Sequence, residues 1–228
     1  MFSSLWIAKT GLDAQQTNLD AISNNLANAS TTGYKSSRPE FQDLMYQNLG
    51  QPGAQTTEQT QSPAGLLMGT GVRVVANEKL FTQGAISQTG NALDVASQGR
   101  GFLQVTMPDG TTAYTRDGSL HQDANGQIVT ADGYVVQPGI TLPSNTTAVT
   151  VNANGQVLAQ IAGQQTPQTV GQLQLATFPN QAGLEAMGGN LLTETPASGA
   201  PTQGNPGTTA FGTIQQGYLE TANVNPVE

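Results

Sequence analysis

Leucine recurs every seven residues at the start of this chain, at Leu5, Leu12, Leu19 and Leu26. A second row, three residues on, holds Ala8, Gln15, Ile22 and Ala29. This is an a/d heptad seam. It predicts a helix from about Ser3 to Ala29, roughly 40 Å long at 1.5 Å per residue. Gly33 is placed to stop it in a left-handed C-cap. Each seam Leu or Ile contributes ~1.5–3 kcal/mol on full burial, while ordering the backbone costs ~1–2 kcal/mol per residue. Ser23, Asn24, Asn25, Asn28, Ser30 and Thr31 are weak helix formers. Alone, such a helix is marginal or disordered, so it needs partner helices from its own chain or from neighbours. The plainer alternative is a helix packed on its own domain, but no second helical pattern follows.

The rest of the chain has a different character. Charged residues make up 10%, against roughly 25% in ordinary soluble domains. There are 27 Gly and 12 Pro among 228 residues, and Gln, Asn, Thr and Ser are abundant. Such a composition suits short strands and polar contact surfaces better than a large enzyme core. The net charge is −8, with only seven basic residues, scattered. Nucleic acid is therefore not an expected partner, and an anionic membrane surface is disfavoured. Cysteine is absent, which removes disulfides, thiolate metal sites and Cys nucleophiles. No run of roughly 18 apolar residues predicts membrane insertion. The N-terminus does not read as a secretory signal, because Lys9 and Asp13 break its apolar run. A chain of this kind working outside the cytoplasm must leave by another route.

Four segments are expected: an assembly helix over 1–32, a connecting region over 33–70, a β-rich outer domain over 71–215 and a return segment over 216–228. In the connecting region Phe41, Leu44, Met45 and Leu49 suit a short helix or a docked extended arm, while residues 50–63, polar and bounded by Gly50 and Pro63, read on composition as a flexible linker. From Gly71 onward turn dipeptides recur at Asp109-Gly110, Asp117-Gly118, Asn125-Gly126, Asp132-Gly133 and Asn154-Gly155. They are read as tight hairpin turns with both central residues at positive φ. Between them lie short β-prone runs at 102–105, 112–115, 128–130, 134–136, 149–151 and 157–159, with another at 173–178. The fold class is mainly β with an N-terminal α-helix, the outer domain being antiparallel.

No constellation for catalysis stands out. His121 is the single histidine, and no Gly-x-Ser-x-Gly elbow accompanies it. Asp117, Asp123, Asn125 and Asp132 lack calcium-loop spacing and a closing Glu, and fall where turns prefer Asp and Asn. Gly99-Arg100-Gly101 is too short for a dinucleotide loop and suits a bulge or a close backbone approach. No catalytic, cofactor-binding or metal-binding residue is assigned, and an enzyme is not expected.

The stretch Asn24-Asn25-Leu26-Ala27-Asn28-Ala29-Ser30-Thr31-Thr32-Gly33-Tyr34-Lys35 closely resembles the N-terminal motif of bacterial flagellar rod and hook proteins. Gln98 to Val105, with Tyr114 to Gly118 after it, is similar to the family's β domain. Gly217 to Asn225 resembles the motif that precedes the family's C-terminal helix. Together these cover nearly the whole chain. Residues 46–63, with Gln51-Pro52-Gly53-Ala54-Gln55, resemble the insertion that marks the distal rod type and is absent from hook protein. That likeness replaces the flexible-linker reading with a segment packed between neighbouring subunits.

The resemblance implies a subunit that stacks with copies of itself into a straight hollow shaft, carrying torque from motor to hook. Implied partners are proximal rod and hook-side axial proteins, the surrounding rings, and the flagellar type III export apparatus. The implied location is the periplasmic basal body, reached without a cleavable signal peptide. In the family a long C-terminal helix pairs with the N-terminal one, so with Glu228 as the last residue that helix is expected to be missing. Alternatives are another axial protein, proximal rod or hook, and a secreted β-domain adhesin.

Overall fold

The computed structural model describes residues 2–53, 55–57, 60–61 and 64–225. The helix predicted from the leucine repeat is present as α1 (Phe2–Ala27). Among the described residues it is the one α-helix, and no helix is long and apolar enough to cross a membrane. Apart from a 3-10 turn at Gln181–Gly183, the other regular elements among the described residues are antiparallel β strands, expected from Gly71 onward and found in the connecting region as well. Compactness groups the chain into two units, Met1–Leu26 with Ser37–Lys79, and Ala27–Ser36 with Leu80–Glu228.

In the first unit α1 is accompanied by β1 (Ser37–Asp43), β2 (Gln47–Gly50), β3 (Gln55–Thr57), β4 (Thr60–Gln61), β5 (Leu66–Met68) and β6 (Val72–Lys79). These pair in nested order, β1 with β6, β2 with β5 and β3 with β4. They form one long hairpin, spliced by the Leu44 N–H on the Gly71 carbonyl and the Thr70 hydroxyl on the Met45 carbonyl. The flexible linker read from the composition of residues 50–63 is thus corrected. Its described residues include paired strands, because a ladder is made by backbone groups and Gln and Thr do not prevent it. Between Glu40 and Phe41 the register slips at Val75, a bulge in β6.

The second unit contains β7 (Ile86–Gln88), β8 (Val95–Gln98), β9 (Phe102–Thr106), β10 (Thr112–Thr115), β11 (Leu120–Gln122), β12 (Ile128–Thr130), β13 (Val135–Val136), β14 (Thr146–Val151), β15 (Gln156–Ile161) and β16 (Gln168–Gln172). After these come β17 (Leu175–Thr177), β18 (Glu185–Gly188), β19 (Leu191–Thr193), β20 (Thr202–Gly204), β21 (Thr213–Gln216) and β22 (Tyr218–Glu220). The main sheet runs β11-β12-β13-β9-β10-β19-β18, with β17 also on β9 and β20 on β17. A separate sheet holds β14-β15-β16. The last two strands return to the first two, β21 pairing with β8 and β22 with β7. The main core gathers Val105, Ile128, Val136, Val157, Leu173 and Leu175 among others. A smaller one stacks Phe102, Tyr114 and Phe178 edge to face.

Four of the five turns stand where the dipeptides placed them, but their geometry differs from the expectation. At Gly110, Gly126, Gly133 and Gly155 the glycine alone has positive φ, near +83°, and its Asp or Asn does not. The hydrogen bonds explain why. Gly110 N–H donates to the Met107 carbonyl while Met107 N–H donates to the Thr111 carbonyl, and the other three turns repeat this pair. These are three-residue loops, a type I turn closed by a left-handed glycine bulge, in which only one residue needs positive φ. Asp117-Gly118 is not such a turn: Gly118 is not at positive φ, and its carbonyl accepts the Val95 N–H at 3.0 Å. Asp123 accepts the Asn125 and Gln127 N–H groups, and those bonds hold its carboxyl below the usual range. His121 is exposed on β11.

Candidate assembly site

The repeat that predicted α1 also divides it into two faces. Leu5, Leu12, Leu19 and Leu26 are 59–71% exposed, and Ile22 is 52% exposed. Two residues on, Ile7, Ala14 and Ala21 are half-buried or buried, with Gly11, Asn18 and Asn25 beside them. Two residues is about 200° of helix rotation, so small and polar side chains line the inward face and the leucines the outward one. Among the described residues of the first unit the companion of α1 is a β-ribbon, not a second helix.

The rest of the first unit repeats the theme. Met45, Leu49, Leu66, Leu67, Val74 and Val75 are all exposed on the ribbon. Among the described residues, every large apolar side chain exposed to solvent lies in this unit except Met187. Among the described residues the buried apolar side chains divide the opposite way, with only Ala14, Ala21 and Pro39 in the first unit.

The motif residues sort along the same line. In the first unit Asn24 lies within α1, and Asn25 pairs with the Ser37 backbone through two hydrogen bonds of 2.8 and 2.9 Å. Ala27 is the last helical residue, and Asn28 accepts from the Thr31 N–H at 3.0 Å. Gly33 stands well past the helix end, so the expected C-cap is corrected. Its φ is +68°, its N–H donates to the Glu220 carbonyl, and a Cβ there would lie 2.7 Å from the backbone of Arg116 and Asp117. Gly33→Ala is expected to cost about 2 kcal/mol or more from backbone strain. That lowers the Tm of the second unit by about 4–8 °C, readable by calorimetry, and an unchanged Tm would contradict the packing described. Tyr34 is half-buried, which pushes its phenol up.

Lys35 anchors a buried charge cluster. Its Nζ lies 2.6 Å from Glu220 Oε1 and 2.8 Å from the Thr82 carbonyl. Arg116 Nη1 reaches Glu220 Oε2 at 3.4 Å, and Nη2 donates to the Gly99 carbonyl at 2.7 Å. The Arg116 guanidinium also sits over the Phe102 ring at 5.1 Å. Glu220 Oε1 accepts the Gly84 N–H as well, at 2.9 Å. All three side chains are buried. Burial pushes both cations below their ordinary pKa, and the shared carboxylate opposes that. Nearby, Asn223 holds the Ser36 N–H and the Leu80 carbonyl, each at 2.7 Å. Lys35, Arg116 and Glu220 each come from a different one of the three family-like stretches, and sequence reasoning did not join them. Lys35 and Glu220 stand 185 positions apart, and no local pattern links such residues.

The insertion residues are less engaged. Gln51, Pro52 and Gly53 form an exposed turn after β2, and Gln55 pairs with Gln61 across β3 and β4. Ala54 lies outside the described residues, as do 58, 59, 62 and 63.

Two family models match this chain. Residues 5–35 match "Flagella basal body rod protein" and residues 96–159 match "Flagellar hook protein FlgE/F/G D1 domain". The chain is similar to flagellar basal-body rod protein FlgG of Buchnera aphidicola subsp. Acyrthosiphon pisum, 50% identical over all of this chain and 88% of the relative. It is 47% identical to that of Caulobacter vibrioides, over 98% of this chain and 86% of the relative. With FlgG of Bacillus subtilis it shares 34% identity over 99% of this chain and 86% of the relative. A leucine face turned to solvent, a family motif whose Gly33 and Lys35 are built into the second unit, and this likeness along the whole length agree: the chain belongs to the flagellar basal-body rod protein FlgG family.

Proposed function

We propose that this chain is a structural subunit of the flagellar distal rod, stacking with its own copies into a straight hollow shaft that carries torque from motor to hook. The observation that carries the reading is the division of apolar surface. The second unit buries its own core, and the first leaves its leucine face and its ribbon open. An apolar face left open in this way serves an interface, and head-to-tail contacts that do not close generate a filament. The exposed leucines are the seam, and residues 46–63 pack between neighbouring subunits. The function is mechanical, with no catalytic or cofactor role. Further partners are proximal rod and hook-side axial proteins, the surrounding rings and the type III export apparatus, with neither nucleic acid nor membrane insertion involved. The location is the periplasmic part of the basal body.

Electron micrographs of purified basal bodies, gold-labelled for this chain, test the reading. Gold on the distal rod is the expected result. Gold confined to the hook or proximal rod would move the subunit along the axis, and gold only on the cell surface would favour an adhesin.

A further inference from the structure

A helix beside a β-ribbon ordinarily turns its largest apolar side chains inward. In α1 the arrangement is reversed. Ala14 and Ala21 are buried, while Leu12 and Leu19 face solvent. Rolling the helix by about half a turn would exchange the faces. Solvent alone favours that roll, because leucine removes far more apolar surface from water than alanine does. Something other than the hydrophobic effect holds the observed orientation.

Two polar contacts do so, one towards each end of the helix. Asn25 Nδ2 donates to the Ser37 carbonyl at 2.8 Å, and its Oδ1 accepts the Ser37 N–H at 2.9 Å. The side-chain amide thus pairs with the start of β1 as a neighbouring strand would. Thr10 Oγ1 accepts the Val72 N–H at 3.4 Å, where β6 begins. The approach there is close enough that a Cβ at Gly71 would collide with the Thr10 hydroxyl. Thr10 and Asn25 lie about 22 Å apart along the helix. The β1–β6 ladder, from Ser37 opposite Lys79 to Asp43 opposite Val72, spans about 20 Å. The two contacts therefore engage opposite ends of the ribbon and resist rotation together.

We propose that Asn25 and Thr10 are positioning residues that lock the roll of α1, keeping its leucine face out of its own ribbon and available to other copies. The proposal rests on the reading of that face as the assembly surface, and its test separates the two. The chain has no cysteine, so a single Leu12→Cys or Ala14→Cys reports its own exposure by thiol labelling on the full chain. With the lock intact, position 12 labels fast and position 14 slowly. With Asn25→Leu and Thr10→Val added, labelling slows at 12 and quickens at 14 by about tenfold, on the scale of a few lost hydrogen bonds, while circular dichroism still shows the helix. Asn25→Asp with Thr10 intact, which keeps an acceptor for the Ser37 N–H, restores part of the original ratio. Ser37→Ala changes neither rate, because Asn25 holds only the backbone there. Labelling that rises at both positions together, as for a melted helix, would overturn the proposal, and so would no change at either. An exchange of rates that leaves self-association untouched would uphold the lock and remove the assembly reading.

Discussion

Glu220→Gln is expected to destabilise the second unit by about 3–5 kcal/mol at neutral pH, the scale for leaving buried charge uncompensated. That is a large share of the ~5–15 kcal/mol that holds a typical domain together. Glutamine keeps the shape and an acceptor for Lys35 but removes the one negative charge shared by Lys35 and Arg116. Both cations already hold their protons less tightly than usual because they are buried, and without the carboxylate Lys35 holds its proton less tightly still. The sign of the pH dependence follows. Below its lowered folded-state pKa, Lys35 is charged in both states and the penalty is felt in full. Between that pKa and the ordinary value of about 10.4, the unfolded chain binds the extra proton, so stability rises with pH. Chemical denaturation of both proteins from pH 7 upward should show the deficit of Glu220→Gln shrinking towards pH 10. It should not vanish, since Arg116 stays charged throughout. A deficit below about 1 kcal/mol, the range of an exposed pair, or one that is flat with pH, would mean that this cluster does not hold the three chain segments together.

The cluster also marks where the sequence stops being readable. Its residues stood in plain view in the family-like stretches, yet a buried ion pair between positions 35 and 220 has no period and no spacing. The features that could be read were those with a local cause. The heptad leucines predicted α1 to within a few residues, and the Asp-Gly and Asn-Gly pairs placed four hairpin turns with β9, β10, β12 and β15 beside them. The turn type was misjudged because the dipeptide does not report the length of the loop that contains it. Residues 50–63 were misjudged as a linker because a polar ribbon draws its pairing from backbone groups, which composition does not record. The heptad was legible as a pattern, but the side of the helix that meets its own ribbon was set by Thr10, Asn25 and Gly71, three residues that a hydrophobic pattern ignores.

Leu12→Asp combined with Leu19→Asp should abolish self-association while leaving the second unit intact. Both side chains are more than half exposed in the single chain, so their replacement removes little from its own packing, and surface changes of this kind shift stability by about 0.5 kcal/mol or less. At an interface the balance is different. Burying two leucines is worth about 3–6 kcal/mol, a factor of roughly a hundred to ten thousand in affinity, and two buried carboxylates add a desolvation cost. The most direct measurement is analytical ultracentrifugation of the full chain and of this double variant over a range of concentration, with calorimetry of both. The expected result is mass that grows with concentration for the native chain, a monomer throughout for the variant, and the same Tm for the second unit in each. If the variant associates as the native chain does, the exposed leucine face is not the surface through which this protein assembles.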